Sequence, residues 1–314
     1  MTSGSETTSL ENRAENTAGL QWGWVAAALI AHTSWGAYSV LARYLQTISQ
    51  LPSLSILTLA TMPPLLVVFP LYYRKIDWQK LRSPLVWLFL LTVVVRALTN
   101  LFAARFTLSI YVQLINQTTP FMVVLLAATI FKEQIPRYTG WAIAACTAGA
   151  ILMMGNNVGL ADAAVSRQDW LGIGLALLSS LSLAVYMLLV SRAGRDRVSS
   201  ELMFVVQLIT IMIVPAPLSW AFGEDWSRWL EITPTDWLIF FAFSLLVYLM
   251  ANLLQIMSIQ QIGASLVSTI MAWRLVSALV LGALILGERL ESWWQILGAV
   301  IVLVTVTWYL SLQR

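Results

Sequence analysis

The sequence has little charge and a single cysteine. Only 11% of its 314 residues are charged, whereas 59% are hydrophobic, which exceeds the apolar share of about 45–50% found in soluble domains. The one cysteine, Cys146, excludes an intrachain disulfide and a cluster of thiolate metal ligands. This composition predicts a membrane protein.

Three motifs of common enzyme classes are also missing. The sequence contains no phosphate-binding GxxxxGK[ST] loop, no HExxH zinc helix and no serine nucleophile elbow, and no cofactor or metal site is predicted.

Basic residues outnumber acidic ones, 18 to 15, but they form short clusters between apolar runs rather than one basic face. A nucleic-acid partner is therefore not expected.

The first 19 residues are polar and include Glu6, Glu11 and Glu15. They lack the basic start and short apolar core of a secretory signal. We therefore expect residues 1–19 to form a disordered cytoplasmic tail.

Long apolar windows dominate the rest of the chain. A helix needs about 20 mainly apolar residues to cross the hydrocarbon core of a bilayer. Windows of that length predict an all-α polytopic membrane protein with ten transmembrane helices, spans 1 to 10, at residues 21–42, 52–73, 85–106, 108–131, 138–155, 170–191, 200–222, 237–257, 263–286 and 292–312.

The distribution of lysine and arginine predicts the orientation of these spans, because basic residues in short loops favour the cytoplasmic side. With the N-terminus inside, eleven of them lie on the cytoplasmic side and five on the other side. Both termini are therefore expected in the cytoplasm.

The two halves of the chain repeat the same order of features. "FKEQIPRYTGWAI" (131–143) aligns with "LGERLESWWQILG" (286–298), which places Glu133 on Glu288, and Tyr38 aligns with Tyr186. An odd number of spans per repeat forces the halves into opposite orientations. The prediction is two inverted five-helix repeats, residues 20–157 and 168–312.

These motifs resemble the EamA-type members of the drug/metabolite transporter superfamily. The resemblance rests on two units in which an apolar run is followed by Lys132-Glu133 or Gly287-Glu288, a short turn and a helix rich in glycine and alanine. It implies a ten-helix transporter with a central cavity lined mainly by spans 1, 3, 4, 6, 8 and 9, and with spans 5 and 10 at the periphery. Members move amino acids, nucleotide sugars, sugar phosphates and drugs, so the resemblance implies no single substrate.

Three costly polar residues fall near the middle of spans, namely His32, Arg96 and Arg274. No aspartate or glutamate lies at the centre of any span, so neither arginine has an evident counter-ion. Ionisable residues at membrane depth usually serve function, and a guanidinium group matches carboxylate or phosphate. We expect an anionic substrate group to meet Arg274 first, with Arg96 as its rival. The alternative is that both arginines only bind backbone carbonyls, helix ends or cavity water.

Polar and aromatic side chains at helical spacing extend these positions into stripes, which must face a partner helix or a cavity. Amides also commonly join helices, and His32 could be a neutral residue bonded to a neighbouring helix rather than a proton site. Pro120 is expected to kink span 4. The predicted substrate-binding residues are Arg274, Arg96, His32, Trp35, Tyr38, Asn100, Asn116, Gln117, Tyr186, Tyr248 and Asn252.

Together these features predict a secondary transporter in the inner or plasma membrane that moves a small organic metabolite by alternating access. An amino acid or a related amphoteric or anionic solute is favoured, and a sugar-phosphate or other organic-anion exchanger is the alternative. A membrane-embedded enzyme or scaffold would need catalytic polar clusters or a large soluble surface. The expected partners are the small-molecule substrate and the lipid bilayer, with the chain a monomer or a weak homodimer.

Overall fold

Every regular element in the described part of the protein is helical. The computed structural model describes residues 3–107, 109–130, 132, 137–154, 167–271, 273–287 and 292–312. Seven of the described helical segments are long and apolar enough, by length and composition alone, to cross a membrane. Glu133 and Glu288, on which the repeat alignment drew, lie outside the described residues.

The helices follow the ten predicted spans in order. Their bounds are Ser3–Arg43 with the π-helix Tyr44–Ile48 (span 1), Ser53–Ala60 and Met62–Tyr72 (span 2), Pro84–Phe106 (span 3), Ser109–Asn116 and Thr119–Ile130 (span 4), Thr139–Met154 (span 5), Arg167–Arg195 (span 6), Ser200–Ile213 and Pro215–Ala221 (span 7), Pro234–Ala242, the π-helix Phe243–Ala251 and Asn252–Ile262 (span 8), Ala264–Ile270, Trp273–Leu281 and the π-helix Gly282–Leu286 (span 9), and Trp293–Leu312 (span 10).

The first helix starts earlier than predicted. It begins at Ser3, so residues 3–19, expected as a disordered tail, are helical in the structure. This segment contains no proline, and lengthening an existing helix requires no new nucleation. Its polar composition therefore does not prevent it from continuing the helix of span 1.

Prolines account for the breaks inside three spans. The second helix of span 2 has proline in its first turn, that of span 7 begins at Pro215, and that of span 4 begins at Thr119, directly before Pro120. Proline donates no backbone hydrogen bond and disfavours helical geometry in the preceding residue. Span 4, where Pro120 was expected to cause a kink, is divided into two helices directly before this proline.

The repeat is visible in two short 3-10 helices, Trp78–Arg82 and Trp226–Leu230. Each follows an aspartate, Asp77 or Asp225, whose carboxylate accepts the backbone N–H two residues further on. The two 3-10 helices are separated by the same number of residues as the aligned tyrosines Tyr38 and Tyr186. The halves thus share local structure as well as sequence pattern, as expected for two five-helix repeats.

Glycines allow two pairs of spans to pack closely. In span 1, a Cβ atom added to Gly36 would lie 2.5 Å from Cβ of Ser277 and 2.7 Å from the carbonyl oxygen of Arg274, both on span 9. In span 5, a Cβ added to Gly149 would lie 2.8 Å from Cγ2 of Val302 on span 10. Spans 5 and 10 pack mainly on each other, whereas span 1 contacts span 9 beside the buried polar residues.

Replacing Gly36 by alanine is expected to lower the unfolding temperature, because the added methyl group forces spans 1 and 9 apart at about 1–3 kcal/mol. The matched control is Gly174→Ala, since no atom of the described residues lies within 4 Å of a Cβ there and alanine favours a helix by about 0.5–1 kcal/mol. Thermal unfolding in detergent measures both. Equal stability of the two variants would contradict the close contact.

At one end of the bundle, a carboxylate of the second half of the chain binds backbone groups of the first half. Glu224, which follows span 7, accepts hydrogen bonds from the backbone N–H groups of Leu54 and Ser55, each at 3.0 Å. It also accepts the hydroxyl of Ser219 at 2.6 Å. Glu224 therefore caps the N-terminus of the first helix of span 2, where a negative charge is favourable.

Two further hydrogen bonds reinforce this connection, which we call the clasp. The indole N–H of Trp229 donates to the hydroxyl of Ser55 at 2.9 Å, and the hydroxyl of Ser49 donates to the carboxylate of Asp236 at 2.6 Å. The clasp therefore joins the connection between spans 1 and 2 to the connection between spans 7 and 8.

Glu224→Gln is expected to destabilise the protein by about 1–2 kcal/mol, since an amide replaces the charged acceptor of three hydrogen bonds. Glu231→Gln is the control, because Glu231 is exposed and pairs with the exposed Arg228, a contact that contributes little to stability. Thermal unfolding of both variants in the same detergent is the measurement. A loss of stability in Glu231→Gln equal to that in Glu224→Gln would show that the cap adds nothing.

Candidate functional site

Two arginines are buried at the centre of the bundle. Arg96 on span 3 is 6% exposed and Arg274 on span 9 is 3% exposed. Among the described residues, ion pairs occur at exposed positions, Arg192 with Asp196 and Arg228 with Glu231, and neither buried arginine takes part. Other groups must therefore stabilise two guanidinium charges in a poorly solvated position.

Arg274 is held by neutral hydrogen-bond acceptors. Its Nε donates to Nδ1 of His32 at 2.8 Å, and one terminal nitrogen donates to Oε1 of Gln255 at 3.2 Å. The other ring nitrogen of His32 lies 3.0 Å from the carbonyl oxygen of Val267. Since guanidinium can only donate, Nδ1 of His32 must accept and Nε2 must carry the proton. His32 is thus neutral and joins span 1 to span 9.

Arg96 lies against aromatic rings instead. Its Cζ atom is 4.4 Å from the centre of the Trp35 ring and 4.9 Å from that of Tyr186. Cζ of Arg274 is 5.2 Å from the same Trp35 ring. Cation–π attraction of this kind partly compensates a desolvated charge. One indole therefore contacts both buried cations.

A small cavity opens beside Arg96. The volume open to the centres of water molecules is about 20 Å³, which is enough for one or two waters. A ligand pocket is far larger, at about 300–1,000 Å³. It is lined by Trp35, Tyr38, Val93, Arg96, Ala97, Asn100, Gln207, Ile211, Tyr248 and Asn252.

Three buried polar atoms on the cavity-lining side chains have no hydrogen-bond partner among the described residues. They are the indole N–H of Trp35, a donor, the hydroxyl of Tyr38, and Oδ1 of Asn100, an acceptor. Leaving such groups unpaired costs about 1–3 kcal/mol each. Together with the charge of Arg96, they equip the cavity to bind a small polar molecule.

A chain of hydrogen bonds supports Tyr186 from behind. The Tyr186 hydroxyl donates to Oε1 of Gln207 at 3.0 Å, and Nε2 of Gln207 donates to Oδ1 of Asn252 at 2.6 Å. Nδ2 of Asn252 donates to the carbonyl oxygen of Val247 at 3.1 Å, inside the π-helix of span 8. This chain connects spans 6, 7 and 8.

Most of the residues predicted from the sequence come together at this centre. The cavity is lined by Trp35, Tyr38, Arg96, Asn100, Tyr248 and Asn252. Tyr186 contacts Arg96, Arg274 contacts Trp35, and His32 is hydrogen-bonded to Arg274.

Five predicted residues do not line the cavity. Tyr186, His32 and Arg274 bond or contact residues of this centre, whereas Asn116 and Gln117 bond elsewhere. Asn116 accepts the hydroxyl of Ser180 at 3.0 Å, and Gln117 donates to the backbone carbonyl of Gln113 at 3.3 Å. The first contact joins span 4 to span 6, and the second stays within span 4. Asn116 thus joins two helices, the alternative stated for amides, whereas Gln117 bonds within its own span.

Span 7 was missed in the sequence analysis. It supplies Gln207 and Ile211 to the cavity, although the family resemblance placed the lining mainly on six other spans. The available signal was Gln207 itself, a single amide within the apolar run "MFVVQLITIMI" at 203–213. A polar side chain there must find a partner in the bundle.

The comparisons with known proteins agree with this architecture. The model of the EamA-like transporter family matches residues 22–155 and 170–311, one match for each repeat. A solved structure described only as "Crystal structure of protein" aligns with a TM-score of 0.62 at 16% identity, covering 90% of this chain and 96% of the other. No curated protein matches the sequence.

The two family matches together span most of the chain, so the protein belongs to the EamA-like transporter family. It is an integral membrane protein of a family that transports small solutes. The solved structure supports the fold alone, because its identity with this chain is low.

The tautomer of His32 is directly measurable, because the sequence contains no other histidine. In protein labelled with 15N-histidine, we expect one protonated and one unprotonated ring nitrogen, since Nδ1 accepts from Arg274. Arg274→Leu, which removes that donor, is expected to shift the Nδ1 resonance. Two protonated ring nitrogens in the unaltered protein would rule out the hydrogen bond from Arg274.

Proposed function

We propose that the protein is a secondary transporter for a small solute with an acidic group, and that Arg96 binds this group in the central cavity. An amino acid or a related amphoteric metabolite fits best. The observation that carries the proposal is the position of Arg96, a buried guanidinium that lines a cavity and has no carboxylate partner among the described residues.

The electrostatics of the centre favour an anion over a cation. An arginine at membrane depth costs about 2.5–3.5 kcal/mol on translocon scales, and the centre holds two. An acidic solute reduces this cost when it binds, whereas a cationic solute adds a third positive charge. The rings of Trp35 and Tyr186 are already occupied by Arg96, so they offer little to a cationic ligand.

An additional amino group would find an acceptor nearby. Asn100 lies one helical turn from Arg96 on the same face of span 3, and its Oδ1 has no partner among the described residues. A solute with an acidic and an amino group a few bonds apart could contact both side chains. This pairing is why we favour an amphoteric substrate over a simple organic anion.

Arg274 takes a different role from the one first expected for it. His32 and Gln255 already accept hydrogen bonds from its guanidinium, and it is not among the residues that line the cavity. We therefore place the substrate's acidic group on Arg96. Arg274 contributes a second positive charge behind the Trp35 ring.

A sugar phosphate or another organic anion is the second candidate, and one observation favours it. Both guanidinium groups contact the single indole of Trp35, so a doubly charged group could be attracted by both. In that case uptake would depend strongly on Arg274 as well as on Arg96.

Alternating access is the transport mechanism that we propose. The cavity is too small for any metabolite in the described conformation, so the helices must separate to admit one. Two inverted repeats allow this separation to occur at either end of the bundle in turn. We also propose cytoplasmic termini in the inner or plasma membrane, from the excess of basic residues on that side, which places the clasp at the outer face.

The test is uptake into proteoliposomes of four labelled pools: amino acids, organic acids, sugar phosphates and aromatic cations. We expect uptake of the amino-acid pool and a loss of roughly 10- to 100-fold in Arg96→Ala, the value of hydrogen bonds to a charged group. Arg96→Lys should retain part of the activity, because it keeps the charge but not the planar fork.

Arg192→Ala is the matched control, since Arg192 is exposed and pairs with Asp196. Its uptake should equal that of the unaltered protein. Undiminished uptake in Arg96→Ala would refute Arg96 as the anchor. Uptake of the cation pool alone would refute an acidic substrate altogether.

A further inference from the structure

Gln207 is the central member of the hydrogen-bonded chain that runs from Tyr186 to span 8. Its side chain is 1% exposed, and both ends of its amide are engaged, Oε1 by the Tyr186 hydroxyl and Nε2 by Asn252. Each end of the amide keeps one unused hydrogen-bonding position, but these two partners fix the orientation of the amide. Its contacts indicate a role that acts through its neighbours.

The hydrogen bonds that link Tyr186, Gln207 and Asn252 all donate in the same direction, and a carbonyl group of span 8 determines that direction. Asn252 donates through Nδ2 to the carbonyl oxygen of Val247, so its Oδ1 is left to accept from Gln207. Gln207 must then turn Oε1 toward Tyr186, where this oxygen accepts the hydrogen bond of the Tyr186 hydroxyl. Each amide orientation follows from the one before it, starting at a carbonyl of the π-helix Phe243–Ala251.

This direction matters for Arg96. Because the Tyr186 hydroxyl donates its hydrogen to Gln207, the electron-rich ring face and the oxygen lone pairs remain available to the guanidinium. The reverse orientation would direct a partly positive hydrogen toward a positive charge. The ring also packs against Phe89, whose ring centre is 5.1 Å away. Tyr186 is thus a rigid, correctly polarised support for Arg96.

We propose that Gln207 is a positioning residue that determines the affinity of the transporter for acidic solutes, by holding Tyr186 and hence the Arg96 guanidinium in place. This inference rests on the proposed function, because it assumes that Arg96 binds the substrate. It assigns a role to span 7, which the family resemblance did not place at the cavity.

The test measures uptake of a tritiated mixture of L-amino acids of fixed composition into proteoliposomes. Gln207→Met keeps the length of the side chain but removes both hydrogen bonds. We expect its apparent KM to rise about 10-fold, the value of a lost hydrogen-bond partner near a charge. The maximal rate should stay within about two-fold, because ground-state and transition-state binding are weakened alike.

Gln113→Met is the matched control. Gln113 is also a buried glutamine, 2% exposed, but its Nε2 donates to Ser39, outside the chain. Its apparent KM should remain that of the unaltered protein. An equal rise in both variants would show a general packing effect and overturn the proposal.

A double-mutant cycle separates positioning from direct contact with the substrate. If Gln207 acts through Tyr186, then Tyr186→Phe and Gln207→Met together should raise the apparent KM no more than Tyr186→Phe alone. Fully multiplicative effects would mean that Gln207 contacts the substrate itself, which would overturn the positioning role.

A second variant, which interrupts the same series of hydrogen bonds at another residue, serves if Gln207→Met does not fold. Asn252→Leu removes the partner that orients Gln207, and it should raise the apparent KM in the same sense but less. If the unaltered protein takes up no amino acids, the proposed function fails. If it does so with dependence on Arg96 but the KM values of both chain variants are unchanged, only the role of Gln207 fails.

Discussion

The burial of two guanidinium charges is the constraint on which the centre of this protein depends. Neither charge can be removed by deprotonation, and the described part of the chain offers them no carboxylate. The structure stabilises them by neutral means, with an imidazole and an amide for Arg274 and two aromatic faces for Arg96. Such stabilisation is incomplete, and an incompletely compensated cation beside a cavity is a natural site for an anion.

Much of this arrangement could be predicted from single residues. Apolar windows located the ten spans, because crossing a bilayer imposes a length and a composition that few other structures share. The depth of His32, Arg96 and Arg274 followed from their positions within those windows. Pro120 predicted the break in span 4, since the missing N–H acts locally.

What could not be predicted depends on the rotation and contacts of helices. The sequence favoured Arg274 over Arg96 as the anion-binding residue, yet His32, 242 positions away in the chain, accepts the Nε hydrogen bond of Arg274, and Arg96 is the arginine that lines the cavity. Gln207 was missed for the same reason, because a lone amide reveals its partners only after spans 6, 7 and 8 are packed. The helical start at Ser3 shows that a folded neighbour can override a polar composition.

The clasp has a consequence for the equivalence of the two halves. Glu224 belongs to the second repeat and its backbone partners to the first, while the position that corresponds to Glu224 in the first repeat is Ile76. A protein assembled from two copies of the first half would therefore lack this carboxylate at both ends. Two copies of the second half would carry it at both ends, because its partners are backbone N–H groups that any sequence supplies. The two halves are thus unequal, since the first cannot replace the second without loss of the cap.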